Sequence, residues 1–400
     1  MIWFFQICDN KKLHFPSLNR TFAVAMTKIF FAILPLMVCS LWAIHLLLDY
    51  VLERSIITLR LLLFVLTTMV LYAGHSAFFL EAYDLIPFTD TLYGMANMAV
   101  YPMYLLYIIQ LTQGRLYPRQ WLFLVPSVLC GLLYTTLYVS MDETELSHFI
   151  GDFLYDNSLS GLMGLSLTMA WVHQFFKLAF LLQVLLCGWF GFRYLHRFEK
   201  HVSEAYADIE GRTLRPVHFL LVIFLFTSLL SLVSSFVGRY RFLDSVWLLA
   251  IPSTVFSVLL YVISYIGSRS MFSYVDYQAE LRLDEHSSLT ENMELEAEVT
   301  TKVEQIAHQI ERLMKEEDFY LKPDLRLGDV ANKLGTNVKY VSMAFNQVIG
   351  TSFSDYVNRK RIAHALEMQS QQPHLSAVEI ARQSGYISMQ SFYRNLKKFS

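Results

Sequence analysis

Apolar residues fill the first two thirds of the chain in long runs and thin out after residue 267. Seven runs lie near 29–50, 59–80, 91–112, 119–140, 171–194, 217–237 and 246–267. Each is long enough for a helix that crosses ~30 Å of hydrocarbon, which takes about 20 residues. Pro35, Pro102, Pro126 and Pro252 fall inside the runs, where helices in lipid tolerate them better than helices in water. Trp121, Trp171 and Trp247 sit at segment ends, the place of interfacial anchors. Beyond residue 298 the pattern becomes amphipathic. Val299, Val303, Ile306, Ile310 and Leu313 recur at alternating spacings of four and three, an a/d stripe of about two heptads. That stripe either pairs two copies of the chain as a homodimer through 299–313, or opens the domain that follows, or does both. The expected fold is all-α.

Two hexapeptides near the end mirror each other: Val330-Ala331-Asn332-Lys333-Leu334-Gly335 and Ile380-Ala381-Arg382-Gln383-Ser384-Gly385. Each runs apolar residue, Ala, three residues, Gly. A helix-turn-helix needs this pattern, because Ala lets a second helix cross closely and Gly supplies positive φ at the turn. Ser376-x-x-Glu379 is a capping box opening the second of these segments. Recognition helices are expected to begin near Asn337 and Met389.

Composition sharpens the division. The chain of 400 residues is 54% hydrophobic and only 16% charged, against about 25% charged in an ordinary soluble chain. The mean hydropathy is +0.38. Cys8, Cys39, Cys130 and Cys187 have no zinc-type spacing and imply neither a metal site nor a disulfide framework. No nucleophile–base pair and no phosphate loop appears, so catalysis and a cofactor are not expected. His286 invites a histidine-kinase reading, but no Gly-rich nucleotide pattern follows it.

Cations set the orientation. Arg54 and Arg60, Arg115 and Arg119, and then Arg193, Arg197, Lys200, Arg212 and Arg215 fall in alternate loops. Glu81–Asp90 and Met141–Ala170 hold no Lys or Arg, and only Arg239 and Arg241 disturb the alternation. The positive-inside rule puts the C-terminus in the cytoplasm of a bacterial inner membrane. Lys11, Lys12, Arg20 and Lys28 conflict with an external N-terminus, and a start at Met26 would remove most of that conflict.

These signals divide the chain into an extension (1–28), a seven-helix transmembrane domain (29–267), an acidic linker (268–298) and a C-terminal domain (299–400). The linker carries Glu280, Asp284, Glu285, Glu291, Glu294 and Glu296. In the membrane domain His75, Glu81, Asp84, His173 and Lys177 fall on the outer side and are candidates for binding an unknown signal molecule. Their alternatives are snorkelling for Lys177 and helix–helix contacts for the rest. The outer loop Met141–Ala170 is acidic, and its Phe149, Phe153 and Tyr155 could pack it as a lid.

The C-terminal residues resemble the AraC/XylS-type DNA-binding domain over about 315–399. The matching stretches are Tyr320–Leu325, the two Ala-x-x-x-Gly segments, Tyr340-Val341-Ser342 with Phe345, Ser352–Asn358, Arg361-Ile362, Ala365-Leu366, Gly385-Tyr386 and Ser391–Arg394 with Lys397-Lys398. The resemblance implies two helix-turn-helix units joined by a long helix, and recognition helices in successive major grooves ~34 Å apart. Carried over by position, the base-edge candidates are Lys339, Tyr340, Ser342 and Met343, then Met389, Gln390, Ser391 and Arg394. Gln suits adenine, and Arg suits guanine or a phosphate. Asn346, Lys397 and Lys398 are placed for the DNA backbone.

The pattern departs from the family at three places. Arg326 stands where the family prefers a Ser or Thr cap, a loss of about 1 kcal/mol. Lys339 is the lone cation of the first recognition helix, and Leu396 replaces a Phe in a chain that ends at Ser400. The reading that follows is a signal-responsive membrane regulator of transcription whose partners are promoter DNA and the lipid bilayer. The rivals are a membrane receptor or transporter-like protein whose tail binds protein, and a tail active only after proteolytic release.

Overall fold

Long apolar runs become long helices. In the computed structural model, the structure describes residues 15–209, 212, 214–234, 241–242, 245–269, 272–277 and 296–400. The chain separates into two units. The first holds residues 1–110, 116–191 and 219–269; the second holds 111–115, 192–218 and 270–400.

The first unit is built on α1 (Phe15–Glu53), α2 (Ile56–Phe79), α3 (Ile86–Gln113), α4 (Val125–Ser140), α5 (Glu143–His148), α6 (Gly164–Ala205), α7 (Arg215–Ser234) and α8 (Val246–Ser268), of which residues 111–113 of α3, 192–205 of α6 and 215–218 of α7 belong to the second unit. Among the described residues six helices are long and apolar enough to cross a membrane. They match six of the seven expected runs. The remaining run, 217–237, begins in α7, whose apolar stretch Arg215–Leu229 is shorter; residues 235–237 lie outside the described ones. Seven crossings were expected, and six are found by this measure.

The helices bury one side and leave large apolar side chains open on the other. Leu41, Leu132, Phe175, Leu178, Leu182, Phe226 and Val258 are all exposed. So many large apolar side chains left open are foreign to a water-facing protein and suit a lipid-facing one. Cys39, Cys130 and Cys187 are buried and unbridged, as small apolar residues would be. The loop Met141–Ala170 packs through Phe149, Phe153 and Tyr155, all buried, and Tyr155 Oη donates to the Phe78 carbonyl at 2.9 Å. His148 and Asp152 pair at 3.0 Å on its surface.

The second unit contains α9 (Glu296–Glu316), α10 (Leu327–Leu334), α11 (Val338–Met343), α12 (Phe353–Gln371), α13 (Ala377–Gln383) and α14 (Met389–Phe399). A π-helical turn, Ala344–Ile349, continues α11. Val303, Ile306, Ile310 and Leu313 of α9 are buried with Val330, Val341, Phe345 and Phe353. Ala307 and Met314 join them, which widens the stripe into the broad face of a globular helix. The a/d residues of α9 are therefore consumed in the core of their own unit, and a homodimer seam through them is not what this packing offers. Residue 299 has no described side-chain environment; residues 1–14 of the expected extension (1–28) and residues 270–271 and 278–295 of the expected linker (268–298), His286 included, lie outside the described residues.

A second, smaller core joins Ile362, Ala365, Ile380, Ala381, Tyr386 and Phe392. Arg361 on α12 ties the unit together. It is 0% exposed, donates from Nε to the Tyr320 carbonyl and from Nη2 to the Lys322 carbonyl, each at 2.7 Å, and lies over the Tyr386 ring at 5.5 Å. Burial lowers its pKa, while the nearby Tyr386, Asp208 and Asp324 oppose that shift.

Candidate functional site

The first helix pair, α10 and α11, turns at Gly335, with φ at 62°. Nothing crowds the position where its Cβ would be, so glycine is needed there for backbone sign alone. Asn337 then caps α11, its Oδ1 accepting from the Lys339 amide at 2.8 Å, as the expected start near Asn337 requires. Arg326 has no acceptor to offer α10. Asp329 covers that end from inside the helix instead, accepting from the Arg326 amide at 2.8 Å and from Lys322 Nζ at 2.6 Å.

The second pair, α13 and α14, turns at Gly385, with φ at 82°. Here a Cβ would meet the Leu321 carbonyl oxygen at 2.6 Å, so this glycine also serves close packing. The capping box is formed: Glu379 accepts from the Ser376 amide at 2.9 Å and from its hydroxyl at 2.7 Å. Those hydrogen bonds, the hydroxyl's first, hold the Glu379 carboxyl below its usual pKa. Ser388 caps α14 by accepting from the Ser391 amide at 3.1 Å. The helix begins at Met389, as expected.

Each candidate DNA-contacting residue has a definite place. Lys339, Asn346, Gln390, Lys397 and Lys398 are exposed. Asn346 Nδ2 lies 3.4 Å from Ser342 Oγ, and Lys398 Nζ pairs with Asp355 at 2.7 Å. Tyr340 and Met343 are half-buried against the larger core, with Lys302 Nζ over the Tyr340 ring at 4.8 Å. Met389 packs on the smaller core. Ser391 is 0% exposed, so in this arrangement its hydroxyl faces protein and not a base edge. Arg394 is partly exposed and donates to Ser391 Oγ at 3.1 Å.

The partner of Ser391 and Arg394 is one the sequence did not flag. The end of α6 and the residues after it belong to the second unit. Ala207 is 0% exposed within its core, its amide donates to the Leu325 carbonyl at 3.0 Å, and its carbonyl accepts from Ser354 Oγ at 2.9 Å and Asn358 Nδ2 at 2.6 Å. Tyr206 and Arg326 form an isolated antiparallel bridge. Asp208 is buried, accepts from Ser391 Oγ at 2.9 Å and lies 3.7 Å from the Arg394 guanidinium. Asn358 Oδ1 in turn accepts from Asn395 on α14 at 3.2 Å. No local signal singled Asp208 out, since it lies among Glu199, Glu204 and Glu210 in a loop read only for its cations.

Of the five candidate signal residues, the structure gathers three. His75, His173 and Lys177 line one cavity of about 210 Å³ in the first unit, with Tyr93, Asn97 and Phe224. Glu81 and Asp84 are exposed and do not line it. Asp90, read from the sequence as loop, is in α3 and wholly buried. It lies 3.1 Å from His173 Nε2 and accepts from Tyr138 Oη at 2.8 Å. His173 also stacks on Tyr134, with ring centroids 4.2 Å apart.

Compared with known proteins, the chain matches a helix-turn-helix domain family over residues 330–400. No curated protein and no solved structure matches it. The capped helices and glycine turns of α10 to α14 fall within or beside that stretch, and the match marks residues 330–400 as a helix-turn-helix DNA-binding domain of the kind that transcription regulators carry.

Proposed function

We propose that this protein is a membrane-embedded, signal-responsive transcription regulator of the AraC type. Its apolar domain (29–267) spans a bacterial inner membrane seven times, an acidic linker (268–298) follows, and residues 299–400 bind promoter DNA from the cytoplasmic side. The observation that carries the reading is the repeated design of α11 and α14. Each follows a positive-φ glycine, is capped by Asn337 or Ser388, and presents polar residues to solvent. Lys339 and Gln390 stand at their exposed starts, and Lys397 and Lys398 at the end of α14. Two helix-turn-helix units of this form can enter successive major grooves. The six long apolar helices and their exposed apolar faces support the bilayer assignment, and the alternation of cationic loops supports the orientation.

The cavity of His75, His173 and Lys177 is the proposed site of the signal, which would bias the arrangement of the helices around it. The test uses the full chain in lipid nanodiscs with DNA from the region upstream of its own gene. Binding should weaken steeply as salt rises, because each phosphate contact releases counterions. Absence of DNA binding even at low salt would end the regulator reading.

A further inference from the structure

Between the apolar helices α6 and α7, Tyr206, Ala207, Asp208 and Arg212 make their contacts inside the second unit. Ala207 fills a place in the core, and its amide and carbonyl make three hydrogen bonds to the DNA-binding unit. Arg212 pairs with Asp324 at 3.1 Å and stacks on Tyr206 at 4.4 Å. Asp208, with its carboxylate only 9% exposed, meets Ser391 and Arg394. A buried carboxylate persists only where donors compensate its lost hydration, and here α14 supplies Ser391 and Arg394 to that end.

We propose that residues 206–209, with Arg212, are an intramolecular occupant of the DNA-binding unit, and that Asp208 competes with DNA for Arg394. This inference rests on the DNA-binding reading above and concerns the regulation of that site. An Arg reads guanine, or clamps a phosphate, with two N–H groups aimed at acceptors. In the occupied state Arg394 Nη2 is directed at Ser391 Oγ and Asp208, and a negative charge sits where approaching phosphates would bring more. Release of the segment frees Arg394 and removes that charge. Both ends of the segment continue into α6 and α7, so a change in those helices has a covalent route to the contact. The Asn358–Asn395 hydrogen bond extends the same contact from the Ala207 carbonyl to the middle of α14.

Two variants of the full chain in nanodiscs test this. Asp208→Asn removes the competing charge, and DNA affinity should rise about tenfold, the scale of one charge-assisted hydrogen bond. Tyr206→Cys with Arg326→Cys locks the segment in place, since directly opposed antiparallel residues lie about 4.5–5.5 Å apart at Cα, within disulfide reach. Oxidised, with the bond verified by mass, this pair should bind DNA about tenfold more weakly than when reduced with dithiothreitol, by the same measure. Comparing redox states of one variant cancels any folding cost of the substitutions, and wild type treated identically controls for its native cysteines. Equal binding by oxidised and reduced forms overturns the proposal, as does Asp208→Asn binding no tighter than wild type. If neither wild type, Asp208→Asn nor the reduced pair binds DNA at low salt, the DNA-binding reading itself has failed.

Discussion

Asn358 Nδ2 stands 2.6 Å from the carbonyl oxygen of Ala207, so a side chain of the joining helix α12 satisfies the backbone of a segment far earlier in the chain. The same nitrogen also donates to the Ser354 carbonyl at 2.8 Å. Replacing Asn358 by Leu leaves the Ala207 carbonyl with Ser354 Oγ alone and removes one of the two acceptors of Asn395, which keeps the Ser391 carbonyl. The expected loss is about 2 kcal/mol, the cost of leaving buried polar groups unmet. Hydrogen exchange should report it as faster labelling of the Ala207 amide, with little change in α2 or α8.

Arg361 is a structural staple and not a DNA contact. Arg361→Met removes both donors to the Tyr320 and Lys322 carbonyls, and the second unit should lose about 3 kcal/mol, since a charge-assisted hydrogen bond contributes 1.5–3 kcal/mol. Thermal unfolding followed in that unit should show the loss at every salt concentration. A loss that appears only when DNA is present would point to a DNA-contacting role instead.

The two turn glycines should respond unequally to alanine. Gly335→Ala meets no atoms and carries only the left-handed backbone penalty, about 1–2 kcal/mol. Gly385→Ala carries that penalty and also drives a Cβ onto the Leu321 carbonyl oxygen, so its cost should exceed the first by at least 1 kcal/mol, the scale of overpacking. Paired denaturation curves decide this; equal losses would contradict the close packing at Gly385.

Acid should loosen the second helix pair. The Glu379 pKa is held below its usual value of about 4.3 by Ser376. A depressed carboxyl pKa contributes stability that is full above the unfolded value and fades as pH falls through the folded one. Glu379→Gln should therefore flatten the stability curve below about pH 4.3 while changing the slope above it little. The measurement is the unfolding midpoint of each protein across pH 3–6.

Base reading and phosphate holding should separate. Gln390→Ala should cost about 1–3 kcal/mol on the preferred site and relax preference at one base pair. Lys397→Ala should weaken binding to all sequences alike and reduce the salt slope by about one. Competition between specific and scrambled duplexes distinguishes the two.

Whatever depended on local chemistry could be read from the order of residues. The cap at Ser376 and the positive φ of Gly335 and Gly385 act within a few residues of themselves, so spacing was enough to place α10, α11, α13 and α14, whereas the fit of Gly385 against the Leu321 carbonyl was not local. Apolar run length likewise placed the long helices, because hydrocarbon thickness fixes their length. The a/d stripe of α9 was legible as amphipathic but not as to what it faces; only the core around Val330 and Phe353 decided that, since a helix face carries no address. Tertiary structure alone brought Asp208 to Ser391 and Arg394, Ala207 to Asn358, and Asp90 to His173. Each of these joins residues far apart in sequence, and the energy of a buried hydrogen bond depends on where the chain returns, which no local spacing encodes.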